Sequence, residues 1–302
     1  MLPSHFAPYG IDLPVNGRFC FEQCRIFLDR SPRECLHRVD GGAVLKAVRL
    51  GSRAVIFRMN GDHNGVRLEV LSGDGSAQER QGVSDYVAEW LDLQRDLRPF
   101  YRMAAGDALL QSLTERFAGL RLIGIPDLLE ALCWAIIGQQ INLQFAYTLK
   151  ARLVALCGTR LTDGDQHFWL FPEAQAIAAL SEADWGGLQF SRSKIAYLRG
   201  IAALFANGTI SKEILLESGS ALAIRERLLQ IRGVGEWTAD YVLMKCFRHP
   251  AALPTGDAGL QNALKTRLQL SVKPSPAQIR EMFAAWKGWE AYTTFYLWRS
   301  LI

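Results

Sequence analysis

The sequence predicts an α+β fold: a small antiparallel β-sheet with helices over residues 1–105, then an all-α region over 106–302. Three observations carry this expectation. Short runs rich in Val, Ile and Leu, punctuated by Gly, Ser, Asn and Asp, occur only in the first third of the chain. From Gly106 onward strand signals disappear, and Gly and Pro fall between stretches of helical periodicity. Late in that helical series, two glycines separated by one residue, Gly233 and Gly235, force a sharp reversal.

The elements follow in order. Segment 19–30 fits either a strand or a helix. Residues 43–50, 53–59 and 66–71 read as antiparallel strands separated by Gly-Ser, Asn-Gly-Asp-His-Asn-Gly and Ser-Gly-Asp-Gly. Between Asp85 and Asp96, Tyr86, Val87, Trp90, Leu91 and Leu93 recur at helical spacing, which would lay one face on that sheet. Residues 108–118, 126–138, 142–157, 173–180, 191–207, 221–231, 236–247, 258–268, 276–286 and 289–300 each have helical spacing, with Gly119, Gly158, Gly208 and Gly288 among the residues between them.

Composition narrows the class. The 302 residues are 49% hydrophobic and 21% charged, ordinary for a globular protein with two or three domains. No stretch approaches the length of a membrane span, and Met1 to Phe6 lacks the basic start and apolar run of a leader, so a soluble cytoplasmic protein is expected. The net charge is +4, but residues 221–302 carry 11 Lys and Arg against 6 Asp and Glu. A local basic excess suits phosphate binding, and equally a solvated helix face. Cys20 and Cys24 form a C-x3-C pair that no second pair completes into a zinc set; Cys133, Cys157 and Cys246 fall in apolar helical runs, as buried thiols would.

The segment from Ala223 to Lys245 is two helices joined by Arg232-Gly233-Val234-Gly235, a helix-hairpin-helix. Without a Cβ, these glycines permit positive φ and close approach of a partner, while the first amides of the next helix point outward unpaired. Such a turn is an anion site suited to a DNA phosphate, although a tight turn that merely needs glycine has the same residues. Asp257 lies 20 residues beyond Trp237, in a Gly/Pro-rich loop (253–259) ahead of a new helix. It could cap that helix, or face a sugar on which positive charge develops during glycosidic cleavage.

The run Leu-Gln-Ile-Arg-Gly-Val-Gly-Glu-Trp-Thr-Ala-Asp-Tyr (229–241), with Pro-Thr-Gly-Asp-Ala-Gly-Leu (254–260), resembles the helix-hairpin-helix base-excision DNA glycosylases. Within them it is most similar to the 3-methyladenine DNA glycosylase II family of alkylated-base enzymes. The resemblance implies a sheet domain followed by two helical lobes, with Asp257 as the catalytic carboxylate. It implies an aromatic pocket of Trp237, Tyr241 and Trp298, where core packing is the alternative role for each ring, and DNA contacts at Gly233, Val234, Gly235 and Thr238.

Other implications concern the loop, the chemistry and the partners. Ala135 to Asn142 matches the loop that fills the gap left by an extruded base, with Gln140 or Ile141 as wedge; a helix start capped by Gln and Asn is the alternative. Bifunctional relatives place a lysine two residues past the Gly-x-Gly, where this chain has Trp237, so hydrolysis by water without strand cleavage is implied. Lys245, further along the helix, is expected to face elsewhere. No cofactor is required for the chemistry; backbone carbonyls of Leu229, Ile231 and Val234 would hold Na+ or K+ for DNA docking. With no cysteine after 246, an iron–sulfur cluster is not expected. The implied partner of this monomer is duplex DNA containing alkylated bases. The rivals are an oxidised-base glycosylase and a non-catalytic hairpin DNA-binding module.

Overall fold

The computed structural model describes residues 10–302; Met1 to Phe6, read above as lacking a leader, lie outside the described residues. The N-terminal part comprises β1 (Ile11–Pro14), α1 (Phe21–Leu28), β2 (His37–Asp40), β3 (Ala43–Leu50), β4 (Arg53–Gly61), β5 (Gly65–Ser72), α2 (Ala77–Trp90) and α3 (Arg98–Ala104). The five strands form one antiparallel sheet in the order β1-β5-β4-β3-β2. Its centre is the three runs read from composition. The edge strands β1 and β2, four residues each, are too short to signal themselves by alternation. Segment 19–30 resolves as helix: Phe21, Cys24, Phe27 and Leu28 lie on one buried stripe.

The remainder is helical, as expected: α4 (Ala108–Arg116), α5 (Leu128–Gly138), α6 (Leu143–Cys157), then, after a two-stranded insertion, α7 (Ala174–Ala178), α8 (Glu182–Trp185), α9 (Arg192–Ala206), α10 (Lys212–Leu216), α11 (Ala221–Leu229), α12 (Glu236–Lys245), α13 (Ala258–Arg267), α14 (Pro276–Phe283) and α15 (Glu290–Arg299). The insertion corrects the expectation that nothing but helix follows Gly106. Strands β6 (Thr159–Asp163) and β7 (Gln166–Leu170) form an antiparallel hairpin. Phe168 and Leu170 pack under Ala43, Leu45, Ala47 and Ile56, on the face of the five-stranded sheet turned away from the main core. The hairpin therefore owes its stability to tertiary contact, since two isolated strands are marginal in water.

One continuous apolar core runs from Phe19 in the N-terminal part to Leu297 in α15. Arg121 ties the two parts further. Fully buried, this residue of the helical part donates to the carbonyls of Asn16, Arg18, Asp92 and Arg95 of the N-terminal part, which satisfy its charge. Hydrogen bonds join the loops around residues 139, 233 and 257 to one another and to Trp298 near the end of α15.

Candidate active site

The reversal between α11 and α12 is built as the glycine spacing requires, but its two glycines do different work. Gly233 has φ +94°, and a Cβ placed there would sit 2.4 Å from the ring carbon Cγ of Tyr197 on α9. Gly235 departs from the expectation of positive φ. It is the N-cap of α12 with φ −94°, and a Cβ there would meet nothing within 4 Å. Gly233 is thus needed by the fold, whereas the space beside Gly235 is open to a ligand.

Downstream of Gly235, the Ala239 amide closes onto the Gly235 carbonyl, while among the described residues the amides of Glu236, Trp237 and Thr238 have no acceptor. Three free N–H groups at the positive end of a helix are an anion site. Val234 and Thr238 are buried, so neither side chain reaches an outer partner. The Thr238 Oγ1 accepts from Gln139 Nε2 at 3.0 Å, which leaves its backbone amide as the group facing outward. Gln139 Nε2 also donates to the Gly233 carbonyl at 3.0 Å, tying the 139–142 loop to the hairpin. Sequence spacing gave no signal for this residue.

In that loop, Gln140 is exposed and adopts φ +57°, a conformation that costs a non-glycine residue roughly 1–3 kcal/mol. Ile141 is partly buried against the core, and Asn142 caps α6 by accepting from the Phe145 amide at 2.9 Å. The loop tip thus presents Gln140 outward. Of the three carbonyls implied for a monovalent cation, those of Leu229 and Val234 accept no hydrogen bond among the described residues, and that of Ile231 accepts one from the Val234 amide at 3.0 Å. Hard, neutral oxygens with free lone pairs fit Na+ or K+ chemically.

Asp257 is both a cap and the centre of the aromatic site. As N-cap of α13, its Oδ1 accepts from the Leu260 amide at 2.7 Å. The same oxygen accepts from Trp298 Nε1 at 2.8 Å, and Oδ2 accepts from Trp237 Nε1 at 3.2 Å. Burial pushes the carboxyl above the ordinary aspartate value, against the downward pull of the Leu260 amide and the two indoles. Tyr241 completes the wall, its ring centroid 5.4 Å from Trp237 and 6.1 Å from Trp298. The three aromatics singled out from the sequence are therefore brought together around the carboxylate.

Two further residues belong to this site and carry no sequence signal of their own. Trp134 on α5 donates its indole N–H to the Tyr241 hydroxyl at 2.8 Å, both groups being buried. At Gly259, a Cβ would lie 3.0 Å from Asp257 Oδ1 and 3.3 Å from Trp298 Nε1, so any side chain would press on the carboxylate and its indole donor. Lys245 directs its amine to the Ile123 carbonyl, in a cavity whose lining includes neither Trp237 nor Asp257. Being eight residues beyond Trp237, it lies on the same side of α12 as Tyr241, and the two line that cavity. It is buried, and burial holds its amine well below the ordinary lysine value.

Comparison with known proteins places the chain in a family. Residues 133–290 match the family model described as HhH-GPD superfamily base excision DNA repair protein, and residues 42–132 match that of the 8-oxoguanine DNA glycosylase N-terminal domain. The chain is 39% identical to a DNA-3-methyladenine glycosylase of Bacillus subtilis, over 91% of both chains. Among solved structures, it superposes on a 3-methyladenine DNA-glycosylase of Archaeoglobus fulgidus with a TM-score of 0.82 at 24% identity, covering 95% of this chain and 97% of that one. An 8-oxoguanine glycosylase/lyase of Clostridium acetobutylicum gives 0.72 at 18% identity, covering 96% and 98%. At such identities the structural likeness shows the shared fold.

Proposed function

The chain belongs to the HhH-GPD superfamily of base excision DNA repair proteins, and from that premise we propose that it is a monofunctional glycosylase excising alkylated purines from duplex DNA. The observation that carries this reading is Asp257, held by two indoles at the mouth of an aromatic cluster. As the bond between base and sugar lengthens, positive charge develops on the sugar ring. Oδ2, with only the 3.2 Å contact from Trp237, keeps lone pairs to face that charge. Water then adds its hydroxyl to C1′, its proton passes to Asp257 or to solvent, and the base leaves. A carboxyl raised by burial is the stronger base for that proton.

Docking and recognition occupy different parts of the surface. The free amides at the start of α12 would hold a backbone phosphate without reading sequence, with Na+ or K+ on the Leu229, Ile231 and Val234 carbonyls adding positive charge there. Gln140, presented at the loop tip, would fill the gap left by the flipped base. Trp237, Tyr241 and Trp298 offer electron-rich surfaces to a cationic N-alkylated purine, already a good leaving group. The 39% identity to a DNA-3-methyladenine glycosylase supports the alkylated-base assignment.

The N-terminal match to the 8-oxoguanine family favours an oxidised-base reading. Against it, Trp237 stands where an amine nucleophile would be, and Lys245 is engaged by the Ile123 carbonyl. The deciding experiment is base release from duplexes carrying 3-methyladenine, 7-methylguanine or 8-oxoguanine. Release confined to 8-oxoguanine would refute the proposal. Tight DNA binding with no release would favour a non-catalytic hairpin module. Action by a monomer in the cytoplasm completes the proposal.

A further inference from the structure

A groove of about 460 Å3 lies between α3, α4 and the segment joining β1 to α1, and shares no lining residue with the aromatic site. That volume falls within the range of roughly 300–1,000 Å3 in which ligand clefts are found. Each helix gives the groove one face: residues 98, 101, 102 and 105 from α3 and its cap, 111, 114 and 115 from α4, at the three- and four-residue spacing of helix neighbours. Three exposed arginines, Arg18, Arg98 and Arg102, line it against one acid, Glu115. In a chain whose 34 basic residues nearly match its 30 acidic ones, that imbalance is local.

The arginines are largely unengaged. Arg98 pairs with Asp96 at 2.8 Å, whereas the guanidinium groups of Arg18 and Arg102 have no carboxylate or other hydrogen-bond acceptor among the described residues. Glu115 is turned along its own helix, where its Oε1 accepts from Gln111 Nε2 at 3.0 Å. The floor between them is fixed and apolar. Arg18 lies over the Tyr101 ring, its guanidinium carbon 5.1 Å from the centroid, and its carbonyl accepts from Arg121 at 3.0 Å. The Tyr101 hydroxyl accepts from the Gly119 amide at 2.8 Å and meets the Tyr296 hydroxyl at 3.0 Å, so the ring is anchored. Thr114 donates its hydroxyl to the Leu110 and Gln111 carbonyls and, like Ala105, offers the groove only carbon. A guanidinium laid on an anchored ring loses less freedom on taking up a carboxylate than a free one does.

We propose that this groove docks an acidic segment of a partner protein, its carboxylates on Arg18 and Arg102 and an apolar side chain against Tyr101 and Ala105. The inference goes beyond the glycosylase reading and does not depend on it. Unneutralised arginines match an acidic chain in charge. The apolar floor favours a peptide over a DNA strand, whose outer edge presents phosphate and sugar and no apolar side chain to fill it.

The test is fluorescence anisotropy of the whole chain with a labelled peptide, Asp-Glu-Leu-Asp-Phe-Glu. One control peptide has Gly for Leu and Phe, the other Lys for every acid. The wild type should bind the first saturably with a Kd of about 1 mM or tighter, and both controls more weakly. Arg18→Gln and Arg102→Gln should each weaken binding about tenfold or more, the worth of one charge-assisted bond, with affinity for intact duplex unchanged. Glu115→Gln should tighten peptide binding a few-fold, a direction that misfolding cannot produce. No saturable binding by the wild type up to about 1 mM, equal binding of the glycine peptide, or unchanged affinity in all three variants would overturn the proposal. So would loss of intact-duplex affinity in the two arginine variants, which would make the groove part of the DNA footprint.

Discussion

Alanine at each of the two hairpin glycines should have opposite consequences. At Gly233, φ +94° is a conformation that costs a side-chain-bearing residue about 1–3 kcal/mol. The new Cβ would also lie 2.4 Å from Tyr197 Cγ, and moving a packed ring costs about another 1–3 kcal/mol. Gly233→Ala should therefore lose roughly 2–6 kcal/mol, with Tm falling about 2 °C or a little more for each kcal/mol at this chain length. At Gly235 the backbone is ordinary and the added carbon meets nothing, so Gly235→Ala should cost less than about 1 kcal/mol of folding. What it should lose is phosphate, because the methyl group stands beside the open amides of α12. One or two charge-assisted bonds, about 1.5–3 kcal/mol each, correspond to roughly ten- to hundredfold or more in affinity, equal on damaged and intact duplexes. Urea unfolding and fluorescence anisotropy on paired duplexes measure both quantities. A Gly235→Ala protein as unstable as Gly233→Ala, or one that loses only lesion binding, would refute this division of labour.

Other outcomes follow from the carboxylate and its neighbours. Asp257→Asn should abolish base release while leaving DNA affinity within a few-fold. Because burial raises the folded-state pKa of Asp257, its stabilising contribution is present at low pH and lost as pH rises through that value, so the amide should melt higher than wild type at neutral pH. By the same shift, the acidic limb of the wild-type rate profile should lie above the ordinary aspartate value of 3.8; a limb below it would contradict the burial argument. Gly259→Ala removes a helix glycine, worth about 1 kcal/mol of helix propensity, yet crowds Asp257 and Trp298. Single-turnover release should slow while Tm holds or rises, and an unchanged rate would show that the carboxylate tolerates displacement. Borohydride during turnover should trap no enzyme–DNA adduct, given Trp237 at the amine position; a trapped adduct would direct attention to Lys245.

Local pattern determined much of this protein. Strands at 43–50, 53–61 and 65–72, the ten helical runs and the hairpin are each set by residues near in sequence, through alternation, helical stripes and glycine placement. Asp257, Trp237 and Tyr241 could be singled out because the two glycines and the Pro-Thr-Gly-Asp loop mark their surroundings, and Trp298 by resemblance alone. Tertiary structure decided what depends on partners remote in sequence. The β6–β7 hairpin exists because Phe168 and Leu170 find the far side of the N-terminal sheet. Gln139 meets Thr238, and Trp134 meets Tyr241, across intervals of roughly 100 residues. Gly235 and Gly233 look alike in sequence, yet only Gly233 needs left-handed backbone, because Tyr197 from another helix fills the space beside it. Even Asp257 could not be assigned one role from its loop. Capping needs only the amide three residues ahead, while the polarity of the site comes from two indoles, one 41 residues downstream, that folding alone brings to the same carboxylate.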